Sequence, residues 1–281
     1  MSLNWRAAAL SLALALFVLF LAAWHIAVLP SAPTGPAMDP EYAALLGQAA
    51  AQGGTTPMPG PGAVAVRLWE LLSDPFYIRG SNDRGIGIQI GYSLGRVALG
   101  FGLAVLVAVP LGFLIGMSPL LNAALNPYIR VLRPVSPLAW MPLALYSIKD
   151  SAISSIFVIF ICALWPMLLN TAFGVMSVRR EWLNVARTLE AGTWRTAIRV
   201  ILPAAAPTIV TGMRISIGIA WLVIVAAEML VGGTGIGYWV WNQWNNLSIA
   251  DIIIAILLIG IVGLLLDRAL GWVQAAVGWR E

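Results

Sequence analysis

Few residues in this chain can do chemistry, and their types exclude most reactions. Lys149 is the only lysine, His25 the only histidine and Cys162 the only cysteine among 281 residues. One histidine and one cysteine make neither a multi-ligand metal site nor an intrachain disulfide, and a Ser-His-Asp site has no pattern to draw on. Lys149 is followed by Asp150, so the phosphate-cradling sequence G-x-x-x-x-G-K-[ST] does not occur. Arginine carries nearly all the remaining cationic chemistry. Arg214 sits ten residues into an apolar run, where a charge persists only beside a partner or a cavity. It reads either as an attractor for an anion or as half of an ion pair. Arg96 opens another apolar run as an interfacial anchor or path residue, and Glu228 ends the run that holds Arg214, as a structural pair or gate hydrogen bond.

The elements that must position these residues are membrane helices. Hydrophobic residues make up 60% of the chain and charged residues 10%, against roughly 25% charged in soluble domains. The mean hydropathy is +0.88. An all-α integral membrane protein follows, with about six spans: Ala7–Leu29, Val97–Met117, Pro134–Ile148, Ser151–Met176, Ala204–Ala227 and Ile252–Leu266. Pro134, Pro137 and Pro142 interrupt the third. Proline frees backbone carbonyls that need other partners, which favours a broken helix lining a path. No chain of Asp, Glu and His crosses the spans as a proton relay would. An uphill pump built this way draws its energy from a partner.

Arginine placement sets the orientation. With the N-terminus inside, Arg130, Arg133, the segment Val178–Pro203 and the Arg268/Arg280 tail fall in the cytoplasm, as the positive-inside rule requires. The net charge of +4 therefore reflects topology and implies no nucleic-acid surface. Residues 1–29 form an N-terminal membrane helix and 30–86 an external linker with an interfacial helix over Ala63–Ser73. Residues 87–281 form the core, with a cytoplasmic loop at 178–203. The glycines at 232, 233, 235 and 237 allow a tight external turn before the aromatic YWVWNQWNN. Asp251 and Asp267 read as helix-end residues.

That loop, RREWLNVARTLEAGTWRTAIRVILP, holds Arg179, Arg180, Arg187, Arg195 and Arg199 between long apolar runs. It reads as two short helices. Trp182, Val185, Ala186 and Leu189 recur at helical spacing, Gly192 suits a stop and Thr193 a cap. A merely solvated connector would not keep such residues in register.

The loop resembles the cytoplasmic coupling loop of ABC-importer permeases, whose pattern is E-A-A, three residues, Gly, nine residues, then I-x-L-P. Asn184, Val185 and Ala186 stand at E-A-A, Glu190 at the glycine, and Val200-x-Leu202-Pro203 closes the motif; Gly192 lies two places on. Residues 74–101, 126–175 and 212–273 are similar to the nitrate, bicarbonate and cyanate permeases, a branch near those for taurine and alkanesulfonates. The resemblance implies a type I importer fold and a homodimeric path in a bacterial inner membrane, with both termini cytoplasmic. It implies two ATPase subunits that hold ATP and Mg and dock on Trp182, Asn184, Val185, Ala186, Leu189, Glu190, Ala191, Gly192 and Trp194. A solute-binding protein delivers a small anion, nitrate first, from outside. Pro134, Pro137, Arg96, Arg214 and Glu228 are the candidates for path or gate. The rival classes are a self-contained channel or secondary carrier, and an intramembrane enzyme, for which no nucleophile–base pair is visible.

Overall fold

The computed structural model describes residues 2–29, 58–80 and 83–277. Residues 30–57 of the expected linker lie outside them. The chain divides into two compact units, residues 1–75 with 242–256, and residues 76–241 with 257–281.

In the first unit, α1 (Ser2–Ala27) is a mostly apolar helix and α2 (Pro61–Ser73) starts on a proline, whose missing N–H costs nothing at a first turn. Val64 and Leu71 of α2 are buried, while Trp69 is exposed. Arg67 of α2 forks onto Asp251, Nε to Oδ1 at 2.8 Å and Nη2 to Oδ2 at 3.2 Å. Asp251 also accepts from Ser248 Oγ at 2.9 Å. Its carboxylate and that of Glu70 hold the Arg67 guanidinium above its ordinary range.

The second unit is built on α3 (Ile86–Met117), α6 (Ser151–Met176) and α8 (Thr193–Val231). Small residues let α3 and α6 touch backbone to backbone. A β-carbon on Gly112 would sit 2.6 Å from the Leu168 carbonyl oxygen, and one on Gly100 would meet Ile159 at 2.7 Å. Gly116 meets Val175 in the same way. Contacts therefore climb both helices together, Gly100 to Gly116 against Ile159 to Val175, so α3 and α6 run parallel. α8 is antiparallel to both: Gly174 faces Thr208, whereas Ser216 Oγ donates to the Ala163 carbonyl at 2.7 Å.

Parallel neighbours need a return crossing. The chain makes it with α4 (Pro119–Leu132), a break at residues 133–136, and α5 (Pro137–Ile148). Among the described residues five helices are long and apolar enough to span a membrane, and α5 is not one of them. Its 12 residues cover about 18 Å at 1.5 Å each. The break falls where Pro134 and Pro137 predicted it, with Pro137 in the first turn of α5, whereas Pro142 lies inside that helix and does not interrupt it.

Three spans are longer than hydropathy indicated. α3 starts eleven residues before Val97 because Gln89 and Ser93, polar and thus unexpected, are buried with partners. α8 begins at Thr193, and α10 (Ile249–Val277) follows α9 (Ile236–Asn245). Asp251 does lie in the first turn of α10, but Asp267 sits well inside the helix rather than at its end.

Candidate coupling surface and anion path

The coupling segment starts with α7 (Arg180–Thr188). Leu183 packs on a core formed by Val175, Ile201, Ala205 and Ile209 where α3, α6 and α8 meet, and Ala186 is buried beside it. The opposite face is bare: Val185 is 58% exposed and Leu189 75%, with Trp182 and Trp194 likewise uncovered. The sequence pattern had put Ala186 on the same side as Trp182, Val185 and Leu189. Instead Leu183 and Ala186 anchor the helix, and the other three face outward. Leu183 carries no sequence signal of its own, because neighbouring apolar residues point to both faces. Asn184, one turn before the helix end, accepts from Thr188 Oγ1 at 3.1 Å through its carbonyl.

The helix stop also differs from expectation. Glu190 has φ +51°. Its N–H donates to the Arg187 carbonyl at 2.9 Å and the Ala191 N–H to the Ala186 carbonyl at 3.0 Å. These two bonds define a Schellman stop with Glu190 in the left-handed position that glycine favours. Gly192, at φ −62° and ψ 155°, is instead the N-cap of α8, and Thr193 is the first residue of that helix rather than its cap. No second short helix stands apart. Residues 193–196 continue through a wide turn at Ala197–Ile201 into the long α8. There the Leu202 N–H reaches back five residues to the Ala197 carbonyl.

A second constellation closes the far end of the same helices. Glu228, 1% exposed, accepts from Ser93 Oγ at 2.8 and 2.9 Å, from Arg96 Nη1 at 2.7 Å and from the Gly237 N–H at 3.0 Å. Arg96 Nη1 also donates to the Thr234 carbonyl at 2.7 Å. The Gly235 N–H donates to Gln89 Oε1 at 2.7 Å, and the Ile236 N–H to Ser93 Oγ at 2.9 Å. Four residues of two helices thus hold the turn before α9 through its own backbone. Gly232 and Gly233 adopt φ +79° and +95° to make that turn. A β-carbon on Gly235 would fall on the Glu228 carboxylate. Gln89 and Ser93 gave no sequence signal beyond being polar in a glycine-rich helix.

Arg214 lies apart from that cluster. Its Nε and Nη2 each donate to Asp267 at 2.6 Å, and Nη1 to Gln274 Oε1 at 3.3 Å. Gln274 in turn donates to Thr211 Oγ1 at 2.9 Å. Of the two readings of Arg214, its surroundings display the ion pair. Pro137 lines a cavity of ≈ 510 Å³ between α5, α6 and α8, and Pro134 lines a second of ≈ 430 Å³. The five candidate path residues therefore occupy three places: the Glu228–Arg96 cluster, the Arg214–Asp267 pair and the break before α5. Among the described residues no group of His, Cys, Asp and Glu is placed to hold a metal.

This helical core is the type I ABC-importer permease fold. The inward-facing MetNI methionine ABC transporter superimposes with a TM-score of 0.59 at 15% identity, over 67% of this chain and 94% of that one. An amino acid ABC transporter solved with histidines gives 0.57 at 15% identity, over 78% and 100%. Residues 108–279 match the family of binding-protein-dependent transport system inner membrane components, and the chain belongs to it. The nitrate import permease protein NrtB of Synechocystis sp. is 46% identical over 220 residues, 78% of this chain and 80% of that one. The bicarbonate transport system permease protein CmpB of Synechococcus elongatus is 43% identical over 233 residues, 82% and 84% respectively. These relatives are transport permeases, not enzymes.

Proposed function

We propose that this chain is the translocation subunit of an ATP-driven importer whose cargo is a small inorganic anion, nitrate before bicarbonate. Two copies form the path, two cytoplasmic ATPase subunits holding ATP and Mg seat the coupling segment, and an external solute-binding protein supplies the cargo. The chain resides in the inner membrane of a bacterium with both termini cytoplasmic. The observation that carries the reading is α7, anchored by Leu183 and Ala186 while Trp182, Val185 and Leu189 stand uncovered. An apolar helical face on a charged segment is what a groove on a partner would cover. The names of the relatives favour nitrate and bicarbonate over cyanate or a sulfonate.

The test is to purify the tagged chain from its native host. Copurification with an ATPase, and ATP-dependent nitrate uptake by liposomes holding the complex and its binding protein, are expected. Nitrate flux through the purified chain alone would establish a carrier or channel instead. Competition by bicarbonate, cyanate and taurine ranks the cargo.

A further inference from the structure

The cavity beside α5 does not end at the helix break. It shares Arg133 and Leu169 with the ≈ 430 Å³ cavity, which shares Asn126 and Arg130 with a third of ≈ 350 Å³ along α4. Asn122, earlier on α4, reaches Met176 at the end of α6, so this groove leads towards the coupling segment.

The charge lining the groove is cationic. No aspartate or glutamate lines any of its three parts. Arg96, Arg214 and Arg67 are each bound to a carboxylate, and so have their charge answered within the chain. The Arg133 guanidinium has no ion pair or hydrogen bond among the described residues, and Arg133 lines the two larger cavities. Arg130 spends its Nε on Asn126 Oδ1 at 3.0 Å, leaving both terminal nitrogens to the groove. Asn170, across the cavity from Arg133, gives one amide hydrogen to the Pro166 carbonyl at 2.8 Å and has a second to offer.

We propose that this groove is the leg of the anion path leading to the coupling side, and that Arg133, assisted by Asn170, binds the passing anion there. The assignment rests on the anion-importer reading above. An unanswered guanidinium beside a membrane cavity gains its compensation from a mobile anion, and its planar fork matches an oxyanion better than an ammonium does. Arg96 and Arg214 are already engaged and do not compete for the cargo.

The test uses the whole complex in liposomes with its binding protein, reading labelled nitrate and bicarbonate uptake, complex yield and ATPase rate. Arg133→Gln should cut uptake at least tenfold at unchanged yield, Arg133→Lys should retain part of it, and Arg130→Gln should lose less. A second readout is maleimide labelling of Leu169→Cys in a Cys162→Ser background. Nitrate should slow it, gluconate should not, and Arg133→Gln should abolish the protection. Normal uptake by Arg133→Gln with protection intact overturns the assignment and leaves the importer reading standing. Should Arg133→Gln assemble poorly, absence of nitrate protection with Arg133 in place overturns it equally. Wild-type complex that moves no anion overturns both.

Discussion

Arg214 and Asp267 meet fork to fork between α8 and α10, both bonds 2.6 Å long. Both side chains remain over 40% exposed in the isolated chain, so the pair stands at a protein boundary. Removing one partner strands the other in a region of low polarity. Arg214→Gln should therefore lower the yield of detergent-extracted complex, and the exchange Arg214→Asp with Asp267→Arg should restore it. Size-exclusion recovery measured beside uptake per recovered complex checks this. Loss of uptake at full recovery would place Arg214 in the path instead.

The Glu228 cluster predicts a steric test. Gly235→Ala puts a methyl where the carboxylate sits, and should unlatch the turn without altering any charge. Glu228→Gln keeps the shape but leaves Arg96 without its counter-charge, a loss of about 3 kcal/mol for a buried pair. Both variants should lower the Tm of the extracted complex, and Gly233→Ala, which meets no atom and carries only the strain of φ +95°, should do so less. An unchanged Tm in Gly235→Ala would show that the turn is held elsewhere.

At the coupling segment, Glu190 bears a backbone conformation suited to glycine. Glu190→Gly should relieve about 1 kcal/mol of strain and keep transport. Ala186→Asp should abolish both transport and ATPase stimulation while the chain still inserts, because it buries an unpaired charge under α7. Gly192→Pro should be tolerated, since Gly192 already has φ −62°. ATPase rate with and without loaded binding protein reads all three.

Orientation has its own measurement. Single cysteines in a Cys162→Ser background should react with an impermeant reagent from outside at Thr55, and only from inside at Thr193. External labelling of Thr193 would put the coupling segment beyond reach of a cytoplasmic ATPase.

Much of this was legible in the sequence, for physical reasons that also explain the misses. Long apolar runs and the charged segment between them fixed the helices on either side of α7, because hydropathy and charge act locally. The prolines marked the break before α5 for the same reason. What escaped was pairwise. Asp267 reads as a helix end because its partner lies 53 positions away, and Gln89 and Ser93 fall outside the span that hydropathy draws from Val97. Their burial depends on backbone donors 143 and 146 residues later in the chain. Glu190 stands at the glycine of the coupling pattern, yet the sequence points to Gly192 as the stop. Composition favoured the glycine, whereas the backbone placed the glutamate at the left-handed position.

The parallel course of α3 and α6 bears on how the chain enters the bilayer. A hydrophobic segment leaves the translocation machinery one span at a time, and α5 is too short to hold a transverse position by its own partition energy. The crossing that sets the sense of every later helix therefore depends on α6, which leaves the ribosome after α5. Released chains truncated after Lys149 should leave α5 on the cytoplasmic side, and chains truncated after Met176 should draw it across. A glycosylation or cysteine tag after Ile148 would follow that change of side.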